Sequence, residues 1–425
     1  MSNDPVSKVV GLVDEEEVAE LAYRLGAIEA PAGAEGPAAD AVESWMREQD
    51  LRPKRIGLVE ERPSIVARIK GAGSGPCLVF NAHLDTAISR HDTLTYVDPA
   101  QAKYISAWRD GDRVYGNGVV NDKAPMAAFL VAAAAIQRSG TRLAGDLVLH
   151  AVPGEIGLEP VDEFQGPDHL GKDLGTRFAI AHGVIGDAAL VAEATGNTIG
   201  WVQAGKAFFK LTVFGGEPLY TPFTPAEADP VKNPNAIVRM APVITALNQW
   251  AAEYSDRVYE CPGGTVVPKA TIGAVRSGRP DKITKSTELA ILYIDIRITP
   301  DLHPMTLQRE LSSFLATTGV PFELECFLYR RGYEAEGIEP LASATRAAHK
   351  DEFGVDPGTP SSPVTSMWRD TTPFNEAGIP SLTYGPSSST GGGNFSVGVA
   401  ELGATARVYA RTAMHFCGIA GMSSE

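Results

Sequence analysis

Five short stretches of this chain carry side chains that could do chemistry. The apolar run CLVFNAHLDTA delivers His83 and Asp85, and YGNGVVNDKAPMA carries Asn121, Asp122 and Lys123. VPGEIG holds Glu155, VAEAT holds Glu193, and TSMWRDTT holds Arg369. An imidazole at the end of a buried strand, trailed two residues on by a carboxylate, suits a metal ligand whose second ring nitrogen is fixed by an acid. A carboxylate at the mouth of a buried strand, as Glu193 would be, is costly unless a cation meets it. Each stretch alone has a plainer reading. His83 could be a core histidine and Glu193 a surface ion pair. Glu155 could be a base, a ligand or a solvated loop acid, while Asp122 and Lys123 could be charges capping the next helix. Arg369, placed before a strand, could grip a carboxylate bidentately or pair with Asp370 or another acid.

Elements must position these residues. Apolar residues at helical spacing mark 15–27 and 38–48, separated by the turn-rich APAGAEGP. Strand patterns cover 64–69, 77–80, 147–152 and 188–193. An alanine-rich helix is expected over 126–137, with Pro125 in its first turn and Gly140 as its stop. Strand–helix alternation of this kind predicts an α/β core that collects ligands at strand ends. From about Lys206 the pattern changes. Strands at 208–214, 265–274, 289–298 and 322–328 and helices at 236–252 and 305–318 give the order β-α-β-β-α-β, a ferredoxin-like sandwich. The expected division is therefore 1–205 and 329–425 for one domain, with 206–328 inserted as a second. A helix over 402–416 ends the chain.

The balance of 37 Lys plus Arg against 52 Asp plus Glu gives a formal charge of −15, which argues against nucleic acid and anionic membrane surfaces. No unbroken apolar run approaches the roughly 20 residues that a bilayer crossing needs. The opening residues lack a basic segment followed by an apolar one, so no secretory signal is read there. Cys77, Cys261, Cys326 and Cys417 lie far apart, which favours free thiols in a reducing cytoplasm.

Together the motifs resemble the dizinc metallopeptidase family of acetylornithine deacetylase, succinyl-diaminopimelate desuccinylase, glutamate carboxypeptidase and aminoacylase. The likeness rests on H-L-D at His83–Asp85, the G-x-G block with D-K at Asp122-Lys123, and E-I-G at Glu155. It continues through A-E-A-T around Glu193, Asn235-Ala236, the D-x-R strand at Asp295 and Arg297, and GIP followed by YGP after Gly378. The resemblance implies a zinc-exopeptidase-like catalytic domain with an inserted lid and dimerisation domain, and so a homodimer or larger even oligomer.

Departures from the family pattern are selective. Asn121 stands where the resemblance puts an aspartate bridging two metals, and a neutral amide cannot neutralise two dications. Gly154 stands at the position of the general base, leaving Glu155. The loop with Thr390–Asn394 holds no histidine where the last ligand of the second metal is expected, and Tyr220 stands near the lid histidine's place. His415 is too far along to replace the missing ligand, and His169 and His182 are outside contenders. The expectation is one divalent transition metal per chain (manganese, zinc, cobalt or iron), held by His83, Asn121 and Glu193. Asp85 would orient His83 and Glu155 would act as base. Arg369, Tyr220 and Asn235 are the candidate substrate contacts, although Tyr220 could merely pack and Asn235 merely cap a helix. Such an eroded site resembles an aromatic aminohydrolase branch, implying conversion of 5-nitroanthranilate and water to 5-nitrosalicylate and ammonia, with the nitro group taking the charge. Hydrolysis of an N-acyl amino acid or small peptide is the alternative, and a non-catalytic binding protein on a decayed fold is the third reading.

Overall fold

Side chains alternate along three buried strands, and that alternation builds a core on both sides of a sheet. In the strands Leu78–His83, Leu147–Val152 and Ala188–Ala192, residues Leu78, Phe80, Leu147, Leu149 and Leu190 join one apolar cluster, while Val79, Val148, Ala189 and Val191 join another. Strands covered on both faces read as continuous apolar runs, as these do. The computed structural model describes residues 4–90, 103–388 and 395–422. It divides into two compact units: Met1–Trp201, Ala335–Pro360 and Arg369–Glu425 form the first, and Val202–Glu334 with Ser361–Trp368 the second. The return of Ser361–Trp368 to the second unit is a departure from the expected three-segment division, and no pattern in the sequence marks it.

In the first unit six strands pair in the order Lys54–Ile56, Ser64–Ile69, Leu147–Val152, Leu78–His83, Ala188–Ala192 and Ser381–Tyr384. The first two junctions are antiparallel and the other three parallel. His83 is in register with Val152, so the chain leaves both strands at one edge of the sheet. Glu193 follows Ala192 at the end of a third parallel strand. Such an edge is where open α/β sheets collect ligands.

The helix Ala124–Ser139 begins with Pro125 in its first turn and stops at Gly140, which is left-handed at φ 71°. Pro125 suits a first turn because that position needs no N–H, and Gly140 accepts positive φ without a Cβ clash. Extended back to Val119, this segment is long and apolar enough by composition to cross a membrane, yet 94% of its apolar window is buried inside the unit. It is a core helix, packed with Glu15–Gly26 and Val399–Cys417.

The second unit has the β-α-β-β-α-β order in an antiparallel sheet running Lys269–Ser277, Leu289–Ile298, Gly205–Phe214 and Phe322–Arg330. Helices Ala236–Tyr254 and Pro304–Ala316 bury Val243, Leu247, Leu307 and Leu311 against it. The single strand expected over 265–274 is two: Gly264–Val266 pairs with Tyr259–Cys261, and Lys269–Ser277 joins the main sheet. Pro268 lies between them and has no N–H to continue a ladder. All four cysteines are free thiols.

Asp146 ties the strand entries of the first unit together. It accepts hydrogen bonds from Lys70 at 2.8 Å, from the Gly71 amide at 2.9 Å and from Arg68 at 2.9 Å. Burial would raise its pKa, but these bonds more than offset that and hold it at about 2. A depressed carboxylate stabilises the fold above its ordinary value of 3.8 and loses that contribution as pH falls toward 2. Asp146→Ala should therefore cost on the order of 1 kcal/mol at pH 7, after solvent screening, with the gap to the parent closing near pH 2. Urea denaturation of both proteins across that range tests it, and a gap that widens in acid contradicts it.

Candidate metal centre

His83 closes its strand and is 1% exposed. Its Nδ1 lies 2.9 Å from the Asp85 carbonyl oxygen and 3.5 Å from Asp85 Oδ1. Those acceptors assign the proton to Nδ1 and turn Nε2 toward the cluster. Asp85 is itself fixed, accepting from the Glu155 amide at 3.2 Å and the Ile156 amide at 2.6 Å. Burial would raise the Asp85 pKa, but the bond and charge of His83, the Ile156 amide and Lys123 hold it at about 2.

Between Val119 and Lys123 the backbone leaves helical geometry at Asn121 (φ −130°, ψ 87°) and Asp122 (φ −142°, ψ 23°), and the peptide joining them is cis. Asn121 Oδ1 sits 3.0 Å from His83 Nε2. The Asp122 carboxylate is wholly buried, its Oδ2 3.4 Å from the His83 amide nitrogen. Its Oδ1 has no hydrogen-bond partner among the described residues. His83, Asp122 and Glu193 each place one ligand atom within 4.8 Å of the others. The expected set was His83, Asn121 and Glu193; Asp122 clusters with His83 and Glu193, and the Asn121 amide oxygen stands beside the same His83 nitrogen. Asp122 is thus no solvated helix cap. Lys123 is buried too, bonded to the Leu84 carbonyl, and burial pulls its pKa down to about 8.

These residues fit a cation. Among the described residues of the first unit, six carboxylates are buried: Glu35, Asp85, Asp122, Glu155, Glu193 and Asp370. Four buried cationic side chains face them, Arg62, Lys123, Lys172 and Arg369, which leaves two negative charges unmatched. Charge buried without a partner is expensive, so groups shift their proton affinity instead. Both groups nearest the centre do so. Burial drives the Asp122 pKa well above its ordinary value, reinforced by the charge of Glu193. For His83 burial acts downward, but the Asp85 bond and the charges of Asp122, Asp85 and Glu155 outweigh it and lift the imidazole well above its usual range. One imidazole, two carboxylates and an orphaned carboxylate oxygen form a donor set for a divalent transition ion.

Behind the trio runs a polar chain through the sheet. Ser64 Oγ meets His150 Nε2 at 3.1 Å, His150 Nδ1 meets Asn81 Nδ2 at 3.1 Å, and Asn81 donates to Thr176 Oγ1 at 3.2 Å. Thr176 donates to Asp370 Oδ2 at 2.7 Å, and Asp370 Oδ1 lies 3.5 Å from Lys172 Nζ. Lys172 closes the chain on Glu155 Oε1. Burial lowers the His150 pKa to about 3, so this ring is neutral. Burial also raises Asp370, against the pull of Lys172.

The remaining expected residues lie as follows. Arg369 is buried, with Nε 3.4 Å from Glu193 Oε2, so its visible partner is an acid of the cluster other than Asp370. His169 and His182 bond the Gln165 and Phe178 carbonyls, and His415 faces Asp351 at 3.7 Å; none joins the trio. Asn235 caps a helix in the second unit, accepting from the Ile237 amide and the Thr287 hydroxyl at 3.0 Å each. Tyr220 is half exposed in that unit. Thr390–Asn394 falls outside the described residues. Lys172, Thr176, His150 and the role of Asp370 were missed by the sequence reading, because no short motif surrounds them.

Comparison with known proteins now places the chain. Residues 79–415 match peptidase family M20/M25/M40, and the chain belongs to that family. Its class is therefore that of metal-dependent hydrolases. The di-peptidase Dug1p from Saccharomyces cerevisiae is similar at 14% identity and TM-score 0.69, over 97% of this chain and 98% of that one. An amidase of the hydantoinase/carbamoylase family from Burkholderia vietnamiensis is similar at 15% identity and TM-score 0.64, over 95% and 98%. YXEP from Bacillus subtilis, a dinuclear metal-binding peptidase, is similar at 15% identity and TM-score 0.59, over 94% and 97%. At these identities the structures establish the fold.

His83→Ala, Asp122→Asn and Glu193→Gln should each weaken manganese or zinc binding by about 100-fold or more, and Asn121→Ala by roughly 10-fold. Calorimetry in buffers of different ionisation enthalpy should also show net proton release on ion binding, since His83 must give up its proton to bind. Equal losses at Asn121 and Asp122, or binding without proton release, would contradict this geometry.

Proposed function

We propose that this protein uses one divalent ion, held by His83, Asp122 and Glu193 with Asn121 beside them, to hydrolyse a carbon–nitrogen bond in a small carboxylate-bearing molecule. The observation that carries the reading is the charge balance: two unmatched buried negative charges equal one divalent ion, and a second ion would overshoot them. Manganese, zinc, cobalt and iron all suit one imidazole with oxygen donors. When bound, the ion supplies Lewis acidity and a water nucleophile near neutral pH.

The chain's own residues do the rest. Asp85 fixes the ring of His83, and Arg369 fixes the carboxylate of Glu193. Glu155 is anchored through its backbone amide to Asp85 and so emerges beside His83. We assign it the proton taken from water and then given to the leaving nitrogen. Tyr220 is carried as a proposed substrate contact; Asn235, whose amide oxygen is occupied as a helix cap, is not. An even-numbered assembly belongs to the same proposal.

The dipeptidase and amidase among the relatives support an amide substrate, an N-acyl amino acid or a small peptide. One observation favours a second reading, the deamination of a nitroaromatic amine such as 5-nitroanthranilate. Gly154 has φ 76°, and a Cβ there would lie 2.4 Å from the Gly171 carbonyl oxygen, so position 154 does not accommodate an acid next to Glu155 in the chain. A substrate carrying its own electron sink asks less of such a site. The charge-matched cluster weighs against a decayed binding protein.

Metal-stripped protein, assayed with each of the four metals against N-acetyl amino acids, dipeptides and 5-nitroanthranilate, separates the readings by which amine or ammonia is released. Activity should saturate at one ion per chain. Glu155→Gln should lower kcat by about 10²–10⁴ while leaving metal content unchanged. Turnover that needs no metal, or that survives in Glu155→Gln, would refute the assignment.

A further inference from the structure

Lys172 is a buried cation of the centre that no motif announced, and its surroundings are specific. It stands on the short turn Gly171–Asp173 and is 1% exposed. Its ammonium touches Glu155 Oε1 and lies 3.5 Å from Asp370 Oδ1. Both acids are buried, and the second oxygen of Asp370 is taken by Thr176 at 2.7 Å. Two carboxylate oxygens converging on one buried point form a cradle for a cation, and Glu155 is joined to His83 through Asp85, whose Oδ1 takes the Glu155 amide at 3.2 Å and lies 3.5 Å from His83 Nδ1.

The backbone makes room for this arrangement. Gly154 packs against the Gly171 carbonyl so closely that a Cβ at 154 would displace the turn bearing Lys172. A hydrogen bond of 2.6 Å from Arg62 Nη1 to the Pro167 carbonyl fastens the same loop, and Arg62 is itself paired with Glu35 at 2.7 Å. The absent side chain at 154 and the lysine at 172 are therefore one structural feature.

We propose that Lys172 is a built-in cation: its ammonium fills the Glu155–Asp370 cradle, excludes a second metal ion from it, and holds Glu155 beside the trio. This rests on the single-ion reading above. Lys172 is a positioning residue, acting through Glu155 and Asp370. Replacing it with a neutral side chain raises the unmatched buried charge from two to three and opens the cradle.

Native mass spectrometry with elemental analysis, at manganese or zinc in large excess, tests the proposal. Wild type and Lys172→Arg should hold one ion per chain, and Lys172→Met should hold two, the second more weakly. Two ions in the wild type would overturn the single-ion reading itself. One ion in the wild type and still one in folded Lys172→Met would overturn only the role given to Lys172. Should Lys172→Met fold poorly, its melting temperature is the readout. A rise across millimolar metal that far exceeds the wild type's supports a second ion replacing the lost ammonium. A variant that stays unfolded at every metal concentration refutes it.

Discussion

Carboxylates withdrawn from water must be met by cations, and this requirement organises the first unit. Asp85, Asp122, Glu155, Glu193 and Asp370 are all buried in it. No core of leucine and alanine could hold them there unaided; the cost of each unpaired ion is several kcal/mol. Lys123, Lys172 and Arg369 answer part of that charge, and the remainder defines what the centre must bind. The same imbalance displaces the proton affinities of His83 and Asp122 well upward.

Parallel pairing makes the convergence possible. Because Leu78–His83 and Leu147–Val152 end in register, His83 and the loop that begins at Pro153 leave the sheet together. Alternation along the strands then decides which side they serve. Asn81 and His150 share the face of Val79 and Val148, and there they hand a hydrogen-bond chain through Thr176 to Asp370. A neutral His150, forced into that state by burial, can sit in such a chain without adding to the charge balance. The site is thus an outgrowth of core packing, and small changes in the sheet would be felt at the ligands.

Much of this was legible before any coordinates. Apolar runs with a terminal His83 or Glu193 marked strand ends, Pro125 and Gly140 bracketed a helix, and the β-α-β-β-α-β order marked the second unit. What stayed hidden has physical reasons. Asn121 and Asp122 are neighbours, and only a backbone that leaves helical geometry decides which carboxylate or amide turns inward. Lys172 and Glu155 are separated by a glycine-rich loop with no periodicity, so their contact is a product of folding and not of spacing. Arg369 was weighed as a ligand grip or an ion pair, and its burial beside Glu193 is a contact that spacing along the chain does not show. The strand break at Pro268 was visible as a residue but was read through as a continuous apolar stretch.

The measurement that bears most directly on the account is an anomalous-scattering map from crystals grown with manganese. A lone peak is expected within about 2.0–2.3 Å of the His83 Nε2, Asp122 and Glu193 donor atoms. An ion coordinated by Asn121 and Glu155 with Asp122 turned away, or a pair of adjacent ions, would contradict it.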